Sequence, residues 1–266
     1  MSFYDQKTVW ITGASSGIGK AMALALAKEG AHLILSSRKR AALEEVVQEC
    51  KGPGQKHILP LDLEDHELLD TVIGDSATLL SRVDILINNG GISQRSNVVD
   101  TEFLVYKKLM DVNYLGTVKL SLGLLPHFLK KNVGHYVTIS SMAGKFGVPV
   151  RSGYSASKMA LHGFFDALRA ELRHTGIKAT MVCPGYIQTD ISKNALVGDG
   201  SAQGTMDEAQ RNGMPVDKMV SQVLKAIEKQ KEEVHIGGFK EVKMAGIVSR
   251  IFPSLFRRII AKAKVT

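Results

Sequence analysis

Tyr154 and Lys158 stand four positions apart, and on a helix such residues share one face. A free phenol, with a pKa of about 10, exchanges protons poorly at neutral pH. A neighbouring ammonium favours the phenolate and lowers that value, so the pair has the makings of a tuned general acid. The pair comes after Ser140-Ser141, which close a short apolar run. In an open parallel sheet the C-terminal strand ends line the ligand crevice.

A second chemistry-bearing segment is Thr12-Gly13-Ala14-Ser15-Ser16-Gly17-Ile18-Gly19, between an apolar run and a helical pattern. Glycines there permit a tight turn, let backbone approach a phosphate and let helix pack on strand. The helix N-terminus then offers free N–H groups and a positive dipole end to an anion. The same residues fit G-x-S-x-G, the nucleophile elbow of α/β hydrolases, with Ser15 as nucleophile and Asp190 or Asp217 and then His235 in the required order. Against that rival, only one strand precedes Ser15, and the twelve residues before the turn carry no HGGG-type oxyanion segment. Ser155-x-x-Lys158 matches S-x-x-K but lacks the SDN and KTG partners of that chemistry.

The second apolar run ends Ser36-Ser37-Arg38-Lys39-Arg40. Where an NAD-specific crevice needs an acid for the ribose 2′-hydroxyl, this chain has Ser37 followed by Arg38, which suits a 2′-phosphate. NADP(H) is therefore expected over NAD(H); a solvated helix start is the alternative for Arg38 to Arg40.

These residues must be held by strands and helices, and the chain alternates them. Strands are expected at 8–11, 32–37, 57–62, 84–89, 135–141, 178–183 and 233–236. Helices are expected at 17–29, 39–51, 64–82, 101–131, 154–175 and 215–231. Continuous apolar runs such as ILIN and VTIS are what parallel strands buried on both faces require. The alternation predicts an α/β fold: one Rossmann-type, doubly wound parallel sheet with helices on both faces. Residues 1–238 would form the nucleotide-binding catalytic domain and 239–266 a C-terminal extension. Asp190 to Met214 is rich in Gly, Ser, Asn and Asp, and a loop that long is either a lid over a site or a disordered insertion. Met206, Met214 and Met219 either line the substrate pocket or fill packing gaps, the second being favoured.

Of 266 residues, 44% are hydrophobic and 23% charged, which excludes wholesale disorder and collagen. The formal net charge of +8 is concentrated: residues 239–266 hold seven bases and one acid, and the other 238 residues are close to neutral. With no basic face on the main body, nucleic acid is not an expected partner. Cys50 and Cys183 form no CxxC, no histidine pair has metal-ligand spacing, and no metal site is expected. The first seven residues carry Asp5 and no apolar run, so no signal peptide is expected and a cytoplasmic location follows.

With these motifs together, the chain resembles the short-chain dehydrogenase/reductases from Lys7 to about Gly238. The resemblance rests on TGASSGIG at 12–19, Asp62 after the third strand, Asn88-Asn89-Gly90-Gly91, Asn113, Ser141, Tyr154-x-x-x-Lys158, and Pro184-Gly185 leading to Thr189. It implies a seven-stranded sheet and NAD(P)-dependent carbonyl/alcohol redox chemistry. The implied catalytic set is Asn113, Ser141, Tyr154 and Lys158; Ser141 rather than Ser140 has the family's usual spacing from the tyrosine. The implied cofactor contacts are Gly13, Ser15, Ser16, Gly17, Ile18 and Gly19, then Ser37 and Arg38, then Asp62 and Leu63 at the adenine. Asn89, Gly90 and Gly91 follow, then Tyr154, Lys158, Pro184, Gly185, Ile187 and Thr189. Asn113 would hold a water that relays the proton outward. The family's NNAG is NNGG here, a glycine at position 90 in place of alanine. A member that bound NADPH without turnover would act as a sensor or scaffold; all four catalytic positions are filled here, which favours the enzyme.

Family members commonly form homodimers or homotetramers through the two long helices, here 101–131 and 154–175. The extension from Ala245 mixes Ile, Phe and Leu with Arg and Lys, interrupted by Pro253. Packing on the domain or across a subunit interface is the first reading; peripheral contact of 245–266 with a membrane is the second.

Overall fold

The computed structural model describes residues 2–238, 242 and 244–263. Phe239, Lys240, Glu241 and Lys243, and with Lys264 the last three positions, lie outside the described residues, and with them part of the charge expected of the extension.

Among the described residues seven strands form one sheet: β1 (Thr8–Thr12), β2 (His32–Ser36), β3 (Lys56–Ile58), β4 (Ile85–Asn88), β5 (Val133–Ile139), β6 (Gly176–Pro184) and β7 (Glu233–Ile236). All pairings are parallel, in the order β3-β2-β1-β4-β5-β6-β7. The helices are α1 (Gly17–Lys28), α2 (Arg40–Glu49), α3 (His66–Asp75), α4 (Ala77–Leu80), α5 (Phe103–Met110), α6 (Gly116–Lys131), α7 (Ser152–Glu171), α8 (Glu208–Arg211), α9 (Val216–Glu228), α10 (Ala245–Ile251) and α11 (Pro253–Ile260).

The period-two alternation of β1 shows why both faces are covered. Val9 and Ile11 pack with Met22, Leu26, Val223 and Ile227 on one side. Trp10 packs with Leu120, Leu124, Phe128 and Phe165 on the other. A strand apolar on both faces, as β1 is, needs a helix layer on each. The strand order reverses between β1 and β4, so their C-terminal ends open the crevice expected at such a switch point.

Several boundaries differ from expectation. The third strand ends at Ile58, although Leu59 and Leu61 still donate to Leu35 and Ser37 at 3.0 and 3.1 Å; Pro60 between them is tolerated because β3 is an edge strand and its missing N–H faces away from β2. Asp62 therefore sits in the loop beyond. The helix expected at 64–82 breaks at Ser76 into α3 and α4. The one expected at 101–131 is interrupted by a π-helical turn at Asp111–Leu115, a distortion that often marks functional sites. Ser140 and Ser141 lie just past β5, not within it. Asp190 to Met214 is not a disordered insertion: backbone bridges pair Gln94 with Leu196, Leu196 with Ala202, and Ile187 with Met214. Among the described residues no helix is long and apolar enough to cross a membrane.

Candidate active site

The glycine turn is cradled by backbone. Gly13 has φ +63°, and a Cβ there would meet Gly90 Cα at 2.8 Å and Asn89 Nδ2 at 2.9 Å, so only glycine fits. A Cβ on Gly19 would strike the Gly13 carbonyl. Asn89 ties β4 to this turn: its side-chain amide donates to the carbonyls of Thr12 and Gly13 at 3.0 and 3.3 Å. Thr12 Oγ1 accepts from the Asn89 and Gly90 N–H groups, both at 3.0 Å. Ser15, Ser16, Gly17 and Ile18 line the same cleft, whose volume is about 980 Å³. No side-chain hydrogen bond caps α1 at Ser16, and its N-terminus faces the cleft as an anion site requires.

At the end of β2, Ser37 Oγ is buried without a hydrogen-bond partner among the described residues, while Arg38 is exposed at the cleft edge. Asp62 and Leu63 line the same cleft; one Asp62 oxygen accepts from the Glu64 N–H at 3.0 Å. Gly90 has an ordinary φ, but a Cβ there would lie 2.6 Å from Leu63 Cδ1. Leucine thus occupies the space that alanine at position 90 would need. This orphaned hydroxyl, the backbone cradle and the helix N-terminus fit a dinucleotide.

Further along, α7 presents Tyr154 and Lys158 on one face, both buried. The Lys158 ammonium donates to the Ile139 carbonyl at 2.9 Å, and burial lowers its pKa to about 8. Burial also holds the Tyr154 phenol above its ordinary value, contrary to the expectation of a lowered one. Three influences pull it down: a hydrogen bond with Ser141 and the charges of Arg95 and Arg151. Lys158 Nζ lies 6.0 Å from the Tyr154 ring centre, and the nearby cations acting on the phenol are the two arginines instead. Ser141, not Ser140, faces Tyr154; Ser140 Oγ meets His162 Nε2 at 3.1 Å.

Asn113 lies in the π-helical turn and is fully buried. Its Oδ1 accepts from the Ile92 N–H at 2.8 Å, and its Nδ2 donates to the Ile92 carbonyl and to Ser157 Oγ, both at 2.9 Å. The amide stitches the loop after Gly91 to α7.

Four residues that no local sequence pattern flagged complete this end. Gln94 Oε1 accepts from the N–H groups of Gly153 at 2.7 Å and Tyr154 at 3.2 Å. It satisfies donors at the start of α7 that would otherwise be orphaned. Beside it, Arg95, Arg151 and Asp207 form a buried ionic cluster. Arg95 Nη2 lies 2.6 Å and Arg151 Nη2 3.4 Å from Asp207 Oδ2, and Gln203 donates to Asp207 Oδ1 at 2.9 Å. Burial pushes the Asp207 carboxyl up, but the hydrogen bonds from Arg95 and Gln203 and both guanidinium charges hold it below the usual range. Asp207 thereby anchors the 190–214 segment over the cleft.

Pro184, Gly185, Ile187 and Thr189 leave β6 along the cleft wall. Gln210 Nε2 donates to the Ile187 carbonyl and to Thr189 Oγ1, the latter at 3.3 Å. Phe146, Val148, Leu196 and Phe256 form an apolar section. Met219, on the buried face of α9, is in the core, Met214 packs against that core, and Met206 Sδ lies 3.2 Å from Ser192 Oγ. The hydrolase elements do not converge: His235 is paired with Glu233 at 2.6 Å, and Ser15 lies in the glycine turn. His162, Cys183 and Glu233 do come within 4.8 Å of one another, but the Lys145 ammonium sits 2.8 Å from Glu233.

Comparisons with known proteins agree with this fold. The sequence profile described as short chain dehydrogenase matches residues 7–198. Dehydrogenase/reductase SDR family member 7B of Xenopus laevis is 40% identical over 271 residues, spanning 99% of this chain and 84% of that protein. The crystal structure of a short-chain dehydrogenase from Streptomyces avermitilis superposes with a TM-score of 0.83 at 27% identity, covering 99% of this chain and 100% of that one. A short-chain dehydrogenase from Burkholderia cenocepacia J2315 in complex with NADP shares the fold, with a TM-score of 0.80 at 23% identity over 99% and 100% of the two chains.

Proposed function

The chain belongs to the short-chain dehydrogenase family, and from that premise we propose that it is an NADP(H)-dependent oxidoreductase interconverting a ketone or aldehyde and its alcohol. The observation that carries this reading is the meeting of Tyr154, Ser141 and Lys158 at the strand ends, in the same cleft as the glycine cradle and Ser37-Arg38. When bound, the nicotinamide supplies or accepts the hydride.

The protein's own residues handle the proton. The Tyr154 hydroxyl donates to the carbonyl oxygen in reduction and takes the alcohol proton in oxidation. Ser141 holds the same oxygen by hydrogen bonding, a donor placed before charge develops. Lys158 binds the nicotinamide ribose with its ammonium, and Asn113 fixes the turn through which a water chain carries the proton outward. NADP(H) is favoured over NAD(H) because no carboxylate follows β2. There Ser37 Oγ is buried without a partner among the described residues, and the Arg38 guanidinium can engage a 2′-phosphate bidentately. The Burkholderia cenocepacia relative solved with NADP supports a nucleotide there. Preference for NADP(H) points to reduction as the direction in cells.

The catalytic unit is read as a homo-oligomer. Leu115, Leu122 and Leu129 recur every seven residues, each more than 40% exposed, along the helix that family members commonly use between subunits.

The cofactor assignment is tested by titrating the protein with NADPH and NADH, read by nicotinamide fluorescence. Tighter binding of NADPH, with that preference lost in Arg38→Ala, is expected. Preference for NADH would overturn the reading of Ser37-Arg38.

A further inference from the structure

The C-terminal helices carry an outward surface that the reaction does not use. Phe256 is the anchor: it is buried and packs on Phe146 with ring centres 4.6 Å apart. Around it Ile247, Ile251, Phe252, Leu255 and Ile259 are each more than half exposed. Apolar side chains at that density on two short helices are unusual where nothing covers them.

The charge is equally one-sided. Arg250, Arg257, Arg258 and Lys262 are exposed among these apolar groups, and residues 242–266 contain no Asp or Glu. A second copy of the same face would bring like charges together. A surface of anionic lipid headgroups over hydrocarbon matches both features. The helices have seven and eight residues, far too short to span a bilayer, but amphipathic helices of this kind lie in the interface.

We propose that α10 and α11 form a docking surface for an anionic lipid bilayer. The same helices wall the cleft: Ala245, Phe256, Ile259 and Ile260 line it alongside Phe146 and Val148. Ile259 belongs to both surfaces, so the cleft mouth opens beside the docked face. On the oxidoreductase reading, on which this clause alone rests, the carbonyl substrate is a lipid-dissolved molecule that enters from the bilayer.

The test is vesicle flotation of the full chain, which needs no turnover. Binding to vesicles of phosphatidylcholine with about one-third phosphatidylserine should exceed binding to phosphatidylcholine alone by at least roughly ten-fold and weaken in high salt. The exposed pair Ile251→Glu and Leu255→Glu should abolish flotation while NADPH binding and thermal midpoint stay unchanged. Charge reversal of Arg250 and Lys262 should remove only the preference for anionic vesicles. Absence of flotation by the unaltered protein, or flotation unchanged in the Ile251/Leu255 variant, would overturn the proposal. So would a lipid-free oligomer that dissociates in that variant, which would make the face a contact between copies. Loss of NADPH binding with flotation intact would instead overturn the oxidoreductase reading alone.

Discussion

The Gln94 side-chain carbonyl accepts the Tyr154 backbone N–H at 3.2 Å and that of Gly153 at 2.7 Å. A residue from the β4 loop thereby sets where α7 begins and where the phenol stands. Gln94→Leu would leave both donors buried and unsatisfied, at a cost of about 1–3 kcal/mol. Turnover should fall as well, because a displaced phenol no longer meets the substrate oxygen. Denaturant melts and kcat measured on one preparation check this; an unchanged kcat would show that α7 is placed by its packing alone.

Asp207→Asn should be more damaging. It removes the carboxylate shared by two buried guanidiniums, and breaking such a cluster costs about 3–5 kcal/mol. The sign with pH follows from the lowered carboxyl pKa. Its stabilisation is present above the unfolded carboxyl value of about 3.9 and lost as pH falls through the folded value. Acid unfolding curves of the two proteins should converge at low pH and separate near neutrality. Arg95 and Arg151 would also bear more strongly on Tyr154, moving the pH profile of turnover to lower pH.

These two contacts mark where the sequence was legible and where it was not. The strands, the glycine turn and the Tyr154–Lys158 face follow from local patterns: apolar runs, turn glycines, an i,i+4 spacing; Ser141 over Ser140 follows from the family resemblance alone. Gln94, Arg95, Arg151 and Asp207 follow from none, because their partners are separated by between 56 and 112 positions and meet only when the 190–214 segment folds over the cleft. The tyrosine's acidity is illegible in the sequence for a related reason. Spacing placed a lysine near it, but burial, which spacing does not report, dominates its acidity. The π-helical turn that seats Asn113 was hidden inside a good helical pattern.

Lys158 gives a second pH signature. Its folded pKa of about 8 lies below its ordinary 10.5, so between those values the unfolded chain holds more protons than the folded one. Its contribution to stability therefore rises with pH across that window. Replacing it by methionine removes this contribution. The stability difference, Lys158→Met minus wild type, should shrink as pH rises from about 8 to 10, read by melts along a pH series. A constant difference would show that the amine titrates normally.

Gly90 and Leu63 should behave as a coupled pair. Gly90→Ala drives a methyl into Leu63 Cδ1, and such overpacking costs about 1–3 kcal/mol; NADPH affinity should drop with it. Leu63→Val makes room, so the double variant should recover, with a coupling energy of at least about 0.5 kcal/mol. Additive effects would mean that Leu63 swings aside freely.

Tyr154 is the proposed proton-transfer group of a cleft otherwise built for a nucleotide. Tyr154→Phe keeps the ring and removes one oxygen. With a ketone turned over by the unaltered protein, and NADPH affinity measured in parallel, kcat should fall by about 10²–10⁴-fold with NADPH binding unchanged. Turnover persisting at the original rate would contradict that role and place the proton donor elsewhere in the cleft.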